Sequence, residues 1–457
     1  MAGLRAAQAL RREGHAGQLV IVGAECHWPP YDRPPLSKQV LTGAWDTDRV
    51  RLRVDDSLDA ELLLGHRAVE LDLAGGAVHL DDGTAVAFDG LVIATGAAPR
   101  TLAGMRPMAG VHVLRTIDDC LALQGDLRSA RQVVVVGAGF IGSEVAASCR
   151  TMGLEVALVE ALELPLVRVL GPEMGAYAAG LHRANGVELH LGIGVDAIVG
   201  DDRVDHVLLS DGRQLAADVV VIGIGVAPCT SWLEGSGLVL DDGVVCDASC
   251  MALGGGDRVV AAGDVARWIN PRFGQSMRIE HWTNAGEQAA HAARALVHGP
   301  TVAGEFAPVP YFWSDQHGTK LQFIGTCGPG DEVRVVEGSI DEGKFVAAYG
   351  RGGVTVGALC VGWPARMTPY RAAIEDGAPF APGEAGAQTR YILEVIARAL
   401  AEAGASLSDV IRYRVFVTDI ADYEAVGLEL GRVFGEIRPA GTLVGNSTLV
   451  LPGLVVE

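Results

Sequence analysis

No Cys-x-x-Cys pair occurs in the 457 residues; the eight cysteines are scattered, and Cys246 and Cys250 lie closest together. They read as mostly buried, free thiols of the kind cytosolic proteins keep reduced. No apolar run is long enough to span a bilayer, so no membrane segment is expected. Positive charge is scarce: 36 basic residues face 56 acidic ones, for a net charge of −20. Nucleic-acid binding needs a basic surface, so it is not expected, although local patches leave room for a small acidic partner protein. Lysine is the rarest charge, present only as Lys38, Lys320 and Lys344, while arginine abounds. An Arg-rich start can signal a transit peptide, but here it leads straight into a strand, and the expected location is the cytoplasm.

Glycine, by contrast, is abundant (60 residues) and hydrophobic residues make up 49%. Together with the length, that composition points to an α/β enzyme of several domains with tight turns, and away from a disordered chain. The stretch "RQVVVVGAGFIGSEVAASCRTMGLEVALVE" is a complete βαβ opening. Val133 to Val136 form a short apolar run suited to a buried parallel strand. Gly137, Gly139 and Gly142 follow as GxGxxG at the strand-to-helix turn. They permit a tight turn, close approach of a pyrophosphate, and close helix–strand packing. The helix N-terminus offers its N–H groups to phosphate. Glu160 ends the next strand, at the spacing of the acid that holds ribose hydroxyls; it would repel a 2′-phosphate, which favours NADH over NADPH.

The chain begins with the second half of another such unit. Gly3 falls where Gly142 falls, "LRAAQALRR" is the helix, "QLVIVGAE" the second strand, and Glu25 the ribose acid. The first strand of this unit and its first two glycines are not in the sequence. That strand would be the centre of its sheet, and without it an apolar groove is expected. "LVIATGAAPR" and "VVVIGIGVAPC" are apolar strands followed by Gly-x-x-Pro turns, each closing one nucleotide-binding domain. "RVVAAGDVA" is a strand ending at Gly263–Asp264, which puts a carboxylate at the crevice. A helix begins near Trp282. From Tyr311 onward, alternating segments predict an antiparallel sheet. A Pro/Gly-rich linker then leads to a separate tail with a helix in "TRYILEVIARALAEAGA", a strand in "DVIRYRVFVTD", a helix in "DYEAVGLELGRVFGE" and strands in "TLVGNSTLVLPGLVVE".

The stretches "YDRPPLSK", "ATGAAPR", "VLRTIDD", "VVGAGFIGSEVA", "IGIGVAP", "AAGDVA", "EHWTNAGEQ" and "PYFWSDQHGTKLQFIG" resemble the FAD-dependent, NADH-linked ferredoxin reductases over about the first 380 residues. The resemblance implies an α/β protein with two Rossmann-like domains and a small α+β C-terminal domain. The FAD-binding domain takes residues 1–108 and 232–303, the NAD-binding domain 109–231, and the C-terminal reductase domain 304–378. It also implies site residues. FAD contacts fall on Gly3, Glu25 (adenosine ribose), Arg33, Lys38 (beside the flavin), Val69, Thr95, Gly96, Arg115, Gly263, Asp264 (ribityl chain) and Trp282, whose helix N-terminus faces the flavin pyrimidine edge. NAD contacts fall on Gly137, Gly139, Ile141, Gly142, Glu160 and Gly225. Glu144 lies near the nicotinamide and Lys38, and Trp313 lies near the ring on the partner side. Lys38, Glu144 and Trp313 are the implied catalytic residues. No metal site is implied. Thioredoxin- and glutathione-reductase relatives carry a cysteine pair beside the flavin; its absence here favours direct electron transfer to a [2Fe-2S] ferredoxin or rubredoxin-like carrier.

After a linker at 379–387, residues 388–457 resemble the later half of the reactive-intermediate deaminase (YjgF-like) family, through "AQTRYILEVIARALAEAGASLSDVIRYRVFVTD" and "RPAGTLVG". That family's carboxylate-binding arginine should follow "RPA", where this chain has Gly441; its glutamate matches Glu457. Without the guanidinium fork no bidentate carboxylate clamp forms. Three readings stay open from sequence: a reductase, an NADH-binding remnant without flavin activity, and an imine or enamine hydrolase fused to a cofactor domain.

Overall fold

A computed structural model describes every residue except 56, 382, 446–448 and 450–453. The chain forms two compact units, Met1–Gly318 and Thr319–Glu457. In the first unit a five-stranded parallel sheet runs in the order Val187–Leu191, Glu155–Glu160, Gln132–Val136, Val219–Ile222, Val111–Val113. Its central strands are runs of valine and isoleucine, and Val133 to Val136 and Val219 to Ile222 are all buried. Such continuous β-branched runs suit a strand covered on both faces. The helix Phe140–Thr151 covers one face with Val145, Ala146 and Cys149. An antiparallel sheet of Val195–Gly200, Val204–Leu209 and Gln214–Ala216 packs Val207 and Leu209 against the other.

The second dinucleotide region is built differently. Val20–Gly23 pairs in parallel with Glu61–Leu64, and Leu91–Ile93 pairs in parallel with Val259–Ala261, as two separate two-stranded sheets. The outer edge of Val259–Ala261 is closed, since Ala252 N–H donates to Val259 and Ala261 N–H to Cys250. The inner edges are not. Leu19 and Gly23 carbonyls accept from the Glu61–His66 side, so the alternate residues Val20 and Val22 turn their backbone groups the other way. All four residues of Val20–Gly23 are only half-buried, whereas the matching strand Glu155–Glu160 buries Val156, Leu158 and Val159. These four strands thus stay as two separate pairs. Helices hold the pieces together. Ala2–Arg12 packs Ala9 and Leu10 on Ala293 of the helix Trp282–His298, Leu4 and Ala7 on Leu52 and Leu58, and Ala6 on the central core of the region.

The two Gly-x-x-Pro segments differ from the sequence reading. They are more than turns: Ala97–Pro99 and Val226–Pro228 pair antiparallel, and this ladder ties the two nucleotide regions together. Proline biases its predecessor toward extended backbone, which suits a short strand as well as a turn.

In the second unit, Thr319–Gly325, Val354–Val361, Lys344–Arg351 and Glu332–Ser339 form an antiparallel sheet over Phe345, Tyr349 and Leu359, with the helix Met367–Glu375 following. The tail helix starts at Ala385, earlier than Thr389, because alanines extend it. Arg412–Phe416 lies parallel to Ala440–Val444, and the helix Tyr423–Phe434 joins them. The remaining strands expected near the C-terminus fall largely on 446–448 and 450–453, outside the described residues.

Open edges exchange amide hydrogens faster than paired, buried ladders. In hydrogen exchange, Val133 to Val136 should be protected at least ~100-fold more than Val20, Val22 and Val92; equal protection in both regions would contradict the split sheet.

Candidate nucleotide and electron-transfer site

The nucleotide turn after Gln132–Val136 needs its glycines for distinct reasons. Gly137 sits at φ +98°. A Cβ on Gly142 would fall 1.9 Å from the Gly137 carbonyl oxygen, so helix and strand approach too closely for a side chain. A Cβ on Gly139 would meet nothing within 4 Å, so the mouth of the turn is open. Gly139 is the N-cap of Phe140–Thr151 and supplies no side-chain cap, which leaves the helix N-terminus to a phosphate. Glu160 is anchored: its Oε2 accepts from Ala138 N–H at 2.7 Å and its Oε1 from Leu162 N–H at 2.9 Å. Each carboxylate oxygen keeps lone pairs for ribose hydroxyls. Gly225, at φ +94°, stands in open space, and Ile141 packs partly into the core beside the turn. These residues fit a dinucleotide.

On the flavin side, a chain of polar contacts joins four of the sequence-implied residues, Glu25, Arg33, Arg115 and Asp264. Arg33 Nη2 meets Glu25 Oε1 at 2.6 Å, Arg33 Nη1 donates to the Arg115 carbonyl at 2.6 Å, and Arg115 Nη2 meets Asp264 Oδ2 at 2.7 Å. The Tyr31 hydroxyl donates to Glu25. Burial alone would raise the Glu25 carboxyl, but Arg33 and the Tyr31 hydrogen bond together hold it below the usual carboxylate range. Gly96, at φ +68°, has Arg115 3.5 Å from the place of its Cβ. The Gly263 N–H donates to Gln288 Oε1 at 2.9 Å, and a Cβ there would lie 3.1 Å from Ala2. Gly3 packs toward Ala94, and Thr95 Oγ1 donates to the Cys229 carbonyl at 2.9 Å. Val69 stands exposed on the meander Ala68–Asp72, Ala77–Leu80, Ala85–Ala87.

The helix Trp282–His298 begins beside this cluster. Its N-cap, His281, gives no side-chain cap, and the buried His281 Nδ1 has no hydrogen-bond partner. Burial drives the His281 imidazole down to about 4, so it is neutral at neutral pH. Burial pushes the neighbouring Glu280 carboxyl up against the pull of Arg278, 2.7 Å away. Trp282 Nε1 donates to Asp32 Oδ1 at 2.8 Å. An uncapped helix end, an orphaned ring nitrogen, an ionised ribose acid and a strand-end carboxylate match the donor and acceptor needs of a flavin nucleotide.

Between the two regions lies a buried ion pair. Lys38 and Glu144 are 8% and 5% exposed, and Lys38 Nζ lies 2.8 Å from Glu144 Oε2. Ser37 Oγ donates to the same oxygen at 2.5 Å, and Ser314 Oγ donates to Oε1 at 2.8 Å. Gln316 Nε2 donates to Ser314 Oγ at 3.1 Å. Ser314 comes from the strand Tyr311–Gln316, whose burial alternates: Phe312, Ser314 and Gln316 turn inward, and Tyr311, Trp313 and Asp315 lie half-exposed. Trp313 stacks on Tyr311 at 6.1 Å and meets Trp282 edge-on at 6.2 Å. Sequence reasoning missed Tyr31, Asp32, Ser37, Ser314 and Gln316. The alternation in "YFWSDQ" was the available signal, since placing Trp313 outward places Ser314 inward.

In the tail, a Cβ on Gly441 would lie 2.4 Å from the Tyr413 ring, which stacks on Phe434 at 5.2 Å. The space that family's arginine would need is filled.

Among the described residues no helix is long and apolar enough to cross a membrane. Three protein families match the chain: pyridine nucleotide-disulphide oxidoreductase over residues 1–289, reductase C-terminal over 311–393, and endoribonuclease L-PSP over 368–457. The ferredoxin reductase component of chlorobenzene dioxygenase from Cupriavidus sp. (strain PS12) is 39% identical over 82% of this chain and 92% of its own length. Rhodocoxin reductase of Rhodococcus erythropolis is 36% identical over 86% and 92%. The reductase chain in the crystal structure of the covalent putidaredoxin reductase–putidaredoxin complex superposes with a TM-score of 0.77 at 31% identity, covering 83% of this chain and 91% of that one. With its nucleotide turn, flavin-side cluster and buried Lys38–Glu144 pair in place, the chain belongs to the pyridine nucleotide-disulphide oxidoreductase family, among the ferredoxin reductases.

Proposed function

We propose that the protein is a cytoplasmic flavoprotein that passes electrons from NADH through FAD to a small [2Fe-2S] ferredoxin, which in turn supplies an oxygenase or a cytochrome P450. One observation carries this reading. The helix whose N-terminus opens at Gly139 presents Glu144 one turn further on, and Glu144 is ion-paired to Lys38 of the flavin-side region. A dinucleotide seated on Gly137, Gly139, Gly142 and Glu160 would have its nicotinamide end on the side of Lys38.

FAD, when bound, accepts a hydride from the nicotinamide and releases the electrons one at a time. The chain's own residues orient and shield. Glu25 and Arg33 would hold the adenosine end, and Arg115 and Asp264 the middle. The N-terminus of Trp282–His298 offers a positive dipole end to the ring edge, which stabilises negative charge there. Lys38, paired with Glu144 at 2.8 Å, would place a second positive group on the nicotinamide side. Trp313, Tyr311 and Trp282 form the aromatic face on the side of Tyr311–Gln316, where a carrier would approach. Direct hand-over also suits the thiols: no disulfide joins any of the cysteines, and burial pushes Cys120, Cys149 and Cys246 up to about 12, which makes them poor redox nucleophiles.

The purified chain, incubated with FAD and freed of excess, should show flavin absorption bands that bleach on adding NADH without oxygen. Cytochrome c reduction should then depend on an added [2Fe-2S] ferredoxin. A protein that holds no flavin, or whose flavin NADH does not bleach, overturns the proposal. For the nucleotide, Glu160→Gln keeps an acceptor for the turn but removes the charge; a lost charged hydrogen bond of ~1.5–3 kcal/mol should raise KM for NADH ~10-fold or more and narrow the preference over NADPH. An unchanged NADH/NADPH ratio would contradict the role given to Glu160.

A further inference from the structure

We infer that Ser314 is a positioning residue: its hydroxyl fixes the Glu144 carboxylate, and through it Lys38, and so ties the strand that carries Trp313 to the nicotinamide side of the site. The inference deepens the electron-transfer reading and rests on it for its functional meaning, but the geometry stands without a cofactor.

Glu144 Oε2 is already shared by Lys38 Nζ at 2.8 Å and Ser37 Oγ at 2.5 Å, both from one short segment. Oε1 accepts from Ser314 Oγ at 2.8 Å, and that donor arrives from a strand 170 residues away in sequence. A carboxylate gripped at one oxygen can still swing about its last bond. Gripped at both, it presents Oε2 to Lys38 in one orientation. Ser314 is itself steered: Gln316 Nε2 donates to its Oγ at 3.1 Å, so the hydroxyl proton is free to go to Glu144. Ser314 and Gln316 are both fully buried, which keeps bulk solvent from taking over either role. Phe312, one alternation earlier, packs against Phe140 at 4.4 Å, on the same helix as Glu144. The strand is thereby fixed to that helix by one apolar and one polar contact. Its other face bears Trp313. Any shift of Trp313 that moves the strand also moves the donor on Glu144.

The scarcity of lysine gives a direct readout. Lys38, Lys320 and Lys344 are the only side-chain amines. Lys38 is buried and paired, while Lys344 is exposed and serves as the internal reference. The full chain is labelled briefly with acetic anhydride and the Lys38/Lys344 ratio is read by peptide mass spectrometry, with no flavin needed. Ser314→Ala should raise the ratio threefold or more, because a Glu144 released at Oε1 holds Lys38 less well. Ser314→Thr, which restores the hydroxyl, should return it to the wild-type value. Where flavin is bound, Ser314→Ala should also slow bleaching by NADH severalfold while KM for NADH changes less than twofold. A Lys38/Lys344 ratio in Ser314→Ala that is unchanged or lower overturns the inference. So does a rise that Ser314→Thr fails to reverse, since that marks loosened packing and no role for the hydroxyl. Should Ser314→Ala fold poorly, Ser314→Cys retains the volume with a weaker donor, and a wild-type ratio there overturns the inference equally. Loss of flavin with an intact labelling pattern would sink the electron-transfer reading alone.

Discussion

The buried pair of Lys38 and Glu144 is the constraint around which the first unit is organised. Removing two charges from water costs several kcal/mol per ion, and their attraction offsets this only when every lone pair and proton is used. Here both Glu144 oxygens are occupied, by Lys38 and Ser37 on one side and Ser314 on the other. The donors come from two places, the segment after Tyr31 and the strand from Tyr311, and the acceptor comes from a third, the nucleotide helix. One carboxylate therefore sets the mutual position of the flavin-side region, the NADH turn and the aromatic face. A hydrophobic pair of equal volume would pack as well; what it would lack is a positive charge where we propose the nicotinamide end to lie.

That pair matters more because the flavin-side sheet is the weaker scaffold. Its strands form two separated pairs, and Val20–Gly23 is half-buried throughout. The five-stranded sheet hides its central valines completely. The flavin-side residues are instead held by helix packing around Ala6, Ala9 and Leu10 and by the polar chain from Glu25 through Arg33 and Arg115 to Asp264. A flavin nucleotide lying along that chain would add cohesion by mass action, since a ligand bound only to the folded state stabilises it.

Much of this was legible in the sequence, for definite reasons. The Gly137–Gly142 turn, the buried Val133–Val136 strand and Glu160 at the end of the next strand follow from patterns whose physics is local. Gly3 and Glu25 were placed by laying one unit against the other, and the division of the flavin-side strands into two pairs is in keeping with the same comparison. The pairing of Lys38 with Glu144 came through the family resemblance. The partners of Glu144 did not, because Ser37 and Ser314 are ordinary residues until the fold brings them together. The pairing of Ala97–Pro99 with Val226–Pro228 was likewise hidden, since a Gly-x-x-Pro segment reads as a turn until its partner is known. Gly441 was noticed as a departure; that Tyr413 fills its place needed coordinates.

A double-mutant cycle on Lys38 and Glu144 tests the central claim most directly, with stability read by denaturant unfolding of Lys38→Met, Glu144→Leu and the double variant. Each single change should cost ~3–5 kcal/mol, because it strands a buried charge or its donors, and the pair together should cost less than their sum by about 2 kcal/mol or more. Single costs below about 1 kcal/mol that simply add would show that the pair is not the buried constraint described here.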